Sequence, residues 1–176
     1  MQWIGIISLS IACCVVYGIL HDQVTARICV EYFTIGHPPV FPTQDPTLLG
    51  IGWGVIATWW VGAILGVPLA MVSRLGTAPR KSTAQLFRAM LMLMILSASF
   101  ATVMGTVGFI AAWNGWVFLV GELATRVPPE KHVAFITDLW AHSASYVAGF
   151  VGGIILMVHT WRSRRLNAAP TKAEIG

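Results

Sequence analysis

The stretch WIGIISLSIACCVVYGILHDQVTARICVEYFTIGHPP, residues 3–39, joins an unbroken apolar run to a segment crowded with ionisable side chains. The first part, residues 3–20, nearly meets the roughly 20 apolar residues needed to cross the hydrocarbon of a bilayer. The second part sets His21, Asp22, Arg27, Glu31 and His37 directly behind it. Further apolar runs at 48–72, 86–112 and 133–160 repeat the first, and only 10% of the 176 residues are charged. A soluble domain averages about 25%. The pattern therefore predicts an all-α, four-helix transmembrane bundle forming one domain, residues 1–176.

The first run lacks a basic leader and a small-residue cleavage pattern before His21, which predicts a retained helix rather than a secretory signal. Cys13, Cys14 and Cys29 form no CxxC and imply no disulfide framework. Eight of the eleven basic residues fall in two places: Arg74, Arg80, Lys81 and Arg88 around the second connection, and Arg162, Arg164, Arg165 and Lys172 in the last segment. The positive-inside rule then places both termini, the second connection and the basic tail 161–176 in the cytoplasm. The expected location is a bacterial-type inner (plasma) membrane, crossed several times. The expected partners are the lipid bilayer and either a membrane protein or a second copy of the chain. A net charge of +4 distributed in this way marks orientation and gives no reason to expect nucleic acid.

The polar outer connections are then 21–47 and 113–132. In the first, residues 21–33 can continue helix one until Gly36 and Pro38-Pro39 stop it. The second connection, RLGTAPRKST, is short enough to make helices two and three antiparallel neighbours, with Ser82 or Thr83 as N-cap. Residues 117–126 suit a short interfacial segment, and VPPEK starts helix four. Glycine pairs at four-residue spacing, Gly50/Gly54, Gly62/Gly66 and Gly149/Gly153, predict close helix packing, and Pro68 predicts a kink.

With that orientation, six of the seven acidic residues and four of the five histidines fall on the outer side. Histidine nitrogen with carboxylate oxygen suits zinc, iron, copper or manganese. Asp138 and His142, four apart on helix four, share one face, which Tyr146 extends. They can meet His21, Asp22 and Glu31 from the first connection, with Glu122 as a further acid. The predicted metal ligands are His21, Asp22, Glu31, Glu122, Asp138 and His142. Adjacent residues diverge on a helix, so His21 and Asp22 share a site only if the helix ends or distorts there, and Asp22 is cast as orienting a ligand. Arg27 and Glu31 suit an ion pair. His37 and His132 read as exposed loop residues, Asp45 as a turn residue and Glu130 as a first-turn acid.

The segments HDQVTARICVEYFTIGHPP and DLWAHSASY resemble a signature of small bacterial four-helix integral membrane proteins. That resemblance spans most of the chain and implies a membrane bundle, with no activity or catalytic residue attached to it. HExxH, Glu-x-x-His pairs, glycine-rich phosphate loops and CxxCH are all missing. Three functions remain compatible: a metal-dependent or redox membrane protein, a proton- or cation-handling transporter, and an accessory subunit that docks a partner.

Overall fold

The structure is a computed structural model that describes residues 1–168; Lys172 and Glu174 of the basic tail lie outside the described residues. Helix α1 spans Gln2–Ile28, α2 Val30–Thr34, α3 Pro46–Ile56, α4 Trp59–Arg74, α5 Thr83–Trp113, α6 Gly121–Arg126 and α7 His132–Leu166. A single 3-10 turn, Pro129–Lys131, leads into α7. Four helical spans are long and apolar enough to cross a membrane: Gln2–Ile28, Pro46–Arg74, Thr83–Trp113 and Pro129–Leu166. Each extends past its apolar run by one or more residues. The first continues through His21 and Asp22 until Cys29 turns extended, at φ −147° and ψ 96°.

The four spans form a ring in which α1 packs along α3 and α4, α5 packs along α7, α1 also meets α5, and α4 meets α7. Helices α4 and α5 therefore lie across the diagonal and are not the neighbours that their short connection suggests. The connection between them is held by Arg164, which is buried near the end of α7. Its guanidinium donates to the carbonyls of Leu75, Ala78 and Pro79 at 2.9, 2.8 and 2.7 Å, and also to that of Val72. The connection is thereby wrapped around the end of α7 and cannot close a tight hairpin. Arg164 contributes hydrogen bonds as well as charge, and its rigid fork suits several carbonyls at once. At the same end Gln2 accepts from the backbone and hydroxyl of Thr83, both at 2.9 Å. Ser82 caps α5 in a capping box with Gln85.

Glycines bring α1 against the second span. A Cβ on Gly54 would stand 2.5 Å from Ile19 Cα, one on Gly62 2.6 Å from Ile11 Cα, and one on Gly66 2.8 Å from Ser10 Cβ. A Cβ on Gly50 would meet the Asp22 backbone at 3.1 Å, so the stripe reaches the polar segment. The Gly149/Gly153 pair behaves differently. Gly153 packs on Leu65, whereas a Cβ on Gly149 would meet nothing within 4 Å.

Helix α4 runs unbroken through Pro68, and the interruption of the second span falls at Ala57–Thr58 instead. A broken helix inside hydrocarbon must find new partners for its freed carbonyls. Thr58 donates its hydroxyl to the Gly54 carbonyl, and Tyr146 donates to the Ala57 carbonyl at 3.3 Å. Asp45 caps the start of α3, accepting from Leu48 N–H at 2.9 Å.

The opposite end of the bundle is closed by α2, whose Tyr32 and Phe33 are buried with Leu49, Trp53, Val127, Phe135 and Ile136. The segment 117–126 contributes α6, which buries no residue, although Leu119 before it joins that cluster.

Gly54→Ala should force α1 and α3 apart, because its Cβ would collide with backbone rather than with a side chain. The expected loss is about 1–3 kcal/mol, the usual cost of overpacking. Thermal unfolding in detergent is the measurement, and Gly149→Ala should leave the midpoint unchanged.

Candidate metal centre

The site is built where α1 passes α7. Asp22 lies six residues before the end of α1, about 9 Å along its axis, and His142 lies ten residues into α7, about 15 Å. Both therefore lie well inside their helices rather than at the helix ends.

His142 Nδ1 faces the Asp138 backbone carbonyl at 2.8 Å. A carbonyl only accepts, so Nδ1 carries a hydrogen and donates it. Nε2 is then left to face Asp22 Oδ1 at 3.2 Å, in a contact where both residues are buried. A ring nitrogen with a lone pair and a carboxylate oxygen are both acceptors, so the contact needs a shared proton or a cation between them. A histidine that donates its remote N–H to a backbone carbonyl also has the tautomer and orientation of a metal ligand.

His21 supplies the third group. Its ring meets the His142 ring edge-on with centroids 4.5 Å apart, and its Nε2 is buried without a hydrogen-bond partner. One ligand atom from each of His21, Asp22 and His142 lies within 4.8 Å of the others. Two bonds of about 2.1 Å to one ion allow donors at most about 4.2 Å apart, so small side-chain rotations close the set. Neighbours on α1 point about 100° apart, yet His21 and Asp22 flank the same point without any end or distortion of the helix there.

Asp138 is fully buried, and neither of its carboxylate oxygens has a hydrogen-bond partner. The His142 ring contacts its backbone, not its carboxylate. Tyr146, one turn further along, lines the same cleft as His142 and donates its hydroxyl to the Ala57 carbonyl. Between these turns, Tyr17 and Ser145 join α1 to α7 through hydroxyls 2.6 Å apart.

Two other expected ligands stand apart from the trio. Glu31 pairs with Lys131 at 3.6 Å and takes a contact from Cys29 Sγ at 3.4 Å, tying α2 to the entry of α7. Its expected partner Arg27 binds Gln23 and Thr47 instead. Glu122 is exposed and pairs with Arg126 within α6 at 3.3 Å. His132 is half-buried and reaches the Val127 carbonyl at 2.9 Å, which explains it as a structural residue.

His37 is the residue that the sequence reading left out. It is half-buried between Phe33 and Trp53, with ring centroids at 5.9 and 4.6 Å, and its Nδ1 lies 2.9 Å from the Tyr32 carbonyl. Burial lowers its pKa from the ordinary histidine value. Burial also raises the Tyr32 hydroxyl and pushes the Cys29 thiol up to about 12, which leaves Cys29 protonated and inert near neutral pH. Only the aromatic neighbours that fold over His37 distinguish it from a loop histidine, and nothing in GHPP announces them.

A cleft of about 140 Å³ opens from this cluster into the bundle. His21, Asp22, His37 and His142 line its polar end, and Leu65, Leu93, Met94, Gly149 and Met157 line its apolar part. No protein-family model, curated protein or solved structure matches the chain.

Proposed function

We propose that this integral membrane protein holds a transition-metal ion between its first and fourth membrane spans, with His21, Asp22 and His142 as ligands. The observation that carries the proposal is the buried contact of His142 Nε2 with Asp22 Oδ1, given that Nδ1 is already committed to a carbonyl. Two imidazoles and one carboxylate suit zinc, iron, copper or manganese. Three protein donors leave positions open, and these face the cleft, as an exchangeable or redox-active ligand requires. Asp138 lies one helical turn from His142, and its carboxylate stays outside the trio of donor atoms. The 4.5 Å separation of the two histidine rings leaves no room for a porphyrin between them.

A second reading draws on the same contact. His142 and Asp22 can share a proton rather than a metal, with the unpartnered Asp138 carboxylate as a further acceptor. The protein would then handle protons, and its side chains would need no ion.

Metal analysis of the purified protein separates the two. The parent should carry about one ion per chain. Losing a group that hydrogen-bonds to a ligand commonly costs about 10–100-fold in affinity and losing a ligand costs more, so His21→Ala, Asp22→Asn and His142→Ala should each lower metal content at least about tenfold. Glu122→Gln and His159→Ala should retain it. Equal content in all five folded variants would overturn the metal site, and a metal-free parent whose proton flux in liposomes fell in Asp22→Asn would favour the relay.

We further propose that the site faces the outer side of the membrane. Arg74, Arg80, Lys81, Arg88, Arg162, Arg164 and Arg165 gather at the opposite end of the bundle, which supports a cytoplasmic location for that end. Thr43→Cys should react with an impermeant maleimide from outside intact cells, and Ala78→Cys only after the cells are opened. The reverse pattern would contradict the orientation.

A further inference from the structure

We propose that the cleft beside the cluster binds the ring of a lipid-soluble quinone, with one ring oxygen at the His21–Asp22–His142 end. This rests on the metal reading only for the identity of the groups at that end; the cleft itself is independent of any ion.

Size sets the first constraint. A cavity of roughly 150 Å³ lined by apolar side chains stays free of water and accepts one benzene. The cleft has about 140 Å³ of room drawn out along α1 from Ser10 to Asp22, about 18 Å, so it is narrow enough for one flat ring at its polar end and leaves its length for the start of a tail. The cleft is partly open, so a tail attached to that ring can leave into the surrounding bilayer.

Polarity sets the second. Apolar and thioether groups line most of the cleft, with its ionisable groups gathered at one end. A purely hydrocarbon occupant would leave His21 Nε2 unpartnered in the low-dielectric interior. An accepting oxygen at one edge of the occupant satisfies it when no ion is bound and that nitrogen carries the hydrogen. Water satisfies the polar end but gains nothing along Leu65, Leu93 and Met94.

Shape sets the third. Tyr17 stacks beside His21 with centroids 5.8 Å apart, and Tyr32 stacks on His142 at 4.4 Å. Flat faces thus surround the polar end, and methionine sulfur lies below, where it makes favourable contact with an aromatic ring. Gly149 keeps one wall open, since a side chain there would meet no protein atom and would occupy the cleft instead. A membrane-soluble quinone combines the single ring, the edge oxygens and an apolar tail that can run along the rest of the cleft.

The test uses the full chain in detergent, titrated with a one-isoprene ubiquinone and followed by quenching of tryptophan fluorescence, since Trp53 lines the cleft. Saturable quenching at about one quinone per chain is expected, unaffected by excess decanol. Gly149→Leu should weaken binding at least tenfold while metal content stays at the parent value. An azidoquinone photolabel should modify peptides containing Tyr17 or Met94, a result independent of whether Gly149→Leu folds. Absence of saturable binding, equal affinity in folded Gly149→Leu, displacement by decanol or labelling confined to other peptides would each overturn the proposal. Saturable, Gly149-dependent binding to a protein without metal would uphold it while removing the metal reading.

Discussion

The apposition of His142 Nε2 and Asp22 Oδ1 is the contact on which the account of this bundle depends. In water two such groups would separate and hydrate. Inside a membrane bundle they can stay 3.2 Å apart only if something positive lies between them. Their meeting is prepared elsewhere. The glycine stripe of the second span lets α1 approach so closely that Gly50 touches the Asp22 backbone. The Tyr17–Ser145 bond fixes α1 against α7 one turn deeper, and Tyr32 closes over the His142 ring from the other side. A site made of three residues thus draws on α1, α2, α3 and α7.

The two ends of the bundle use buried polarity differently, although Ser73 Oγ and Arg74 Nε at the Arg164 end also lack a partner. Arg164 spends its guanidinium on four carbonyls and so stabilises the connection it touches. At the other end the polar groups are left incomplete. Among the described residues, three of the five buried side-chain polar atoms without a partner belong to His21 and Asp138. Leaving such groups unmade costs about 1–3 kcal/mol each and more for charged ones. Membrane-embedded ionisable residues that satisfy no structural demand are functional candidates, and the interruption of α3 and α4 beside the same cleft adds a further departure from regular packing.

Composition and apolar run length made the four spans legible, and the histidine–carboxylate spacing on helix four singled out His142, although it is the backbone carbonyl of Asp138 and not its carboxylate that meets the ring. Helix ends were less visible. The continuation of helix one through residues 21–28 was legible from the absence of proline and glycine there, but its end at Cys29, followed by the separate α2, was not. The break at Ala57–Thr58 carries no sequence mark comparable with Pro68, because its stability comes from a tyrosine 89 positions away. Glu31 looked like a ligand because its partner Lys131 is distant in sequence. The hold of Arg164 on the connection between α4 and α5 was hidden for the same reason: it joins residues remote in sequence.

The central claim, two imidazoles and one carboxylate around one cation, is tested most directly by electron paramagnetic resonance of the protein loaded with one equivalent of copper(II). The account predicts hyperfine coupling from two imidazole nitrogens, reduced to one in either His21→Ala or His142→Ala. A spectrum with no imidazole coupling, or one unchanged in both variants, would contradict it.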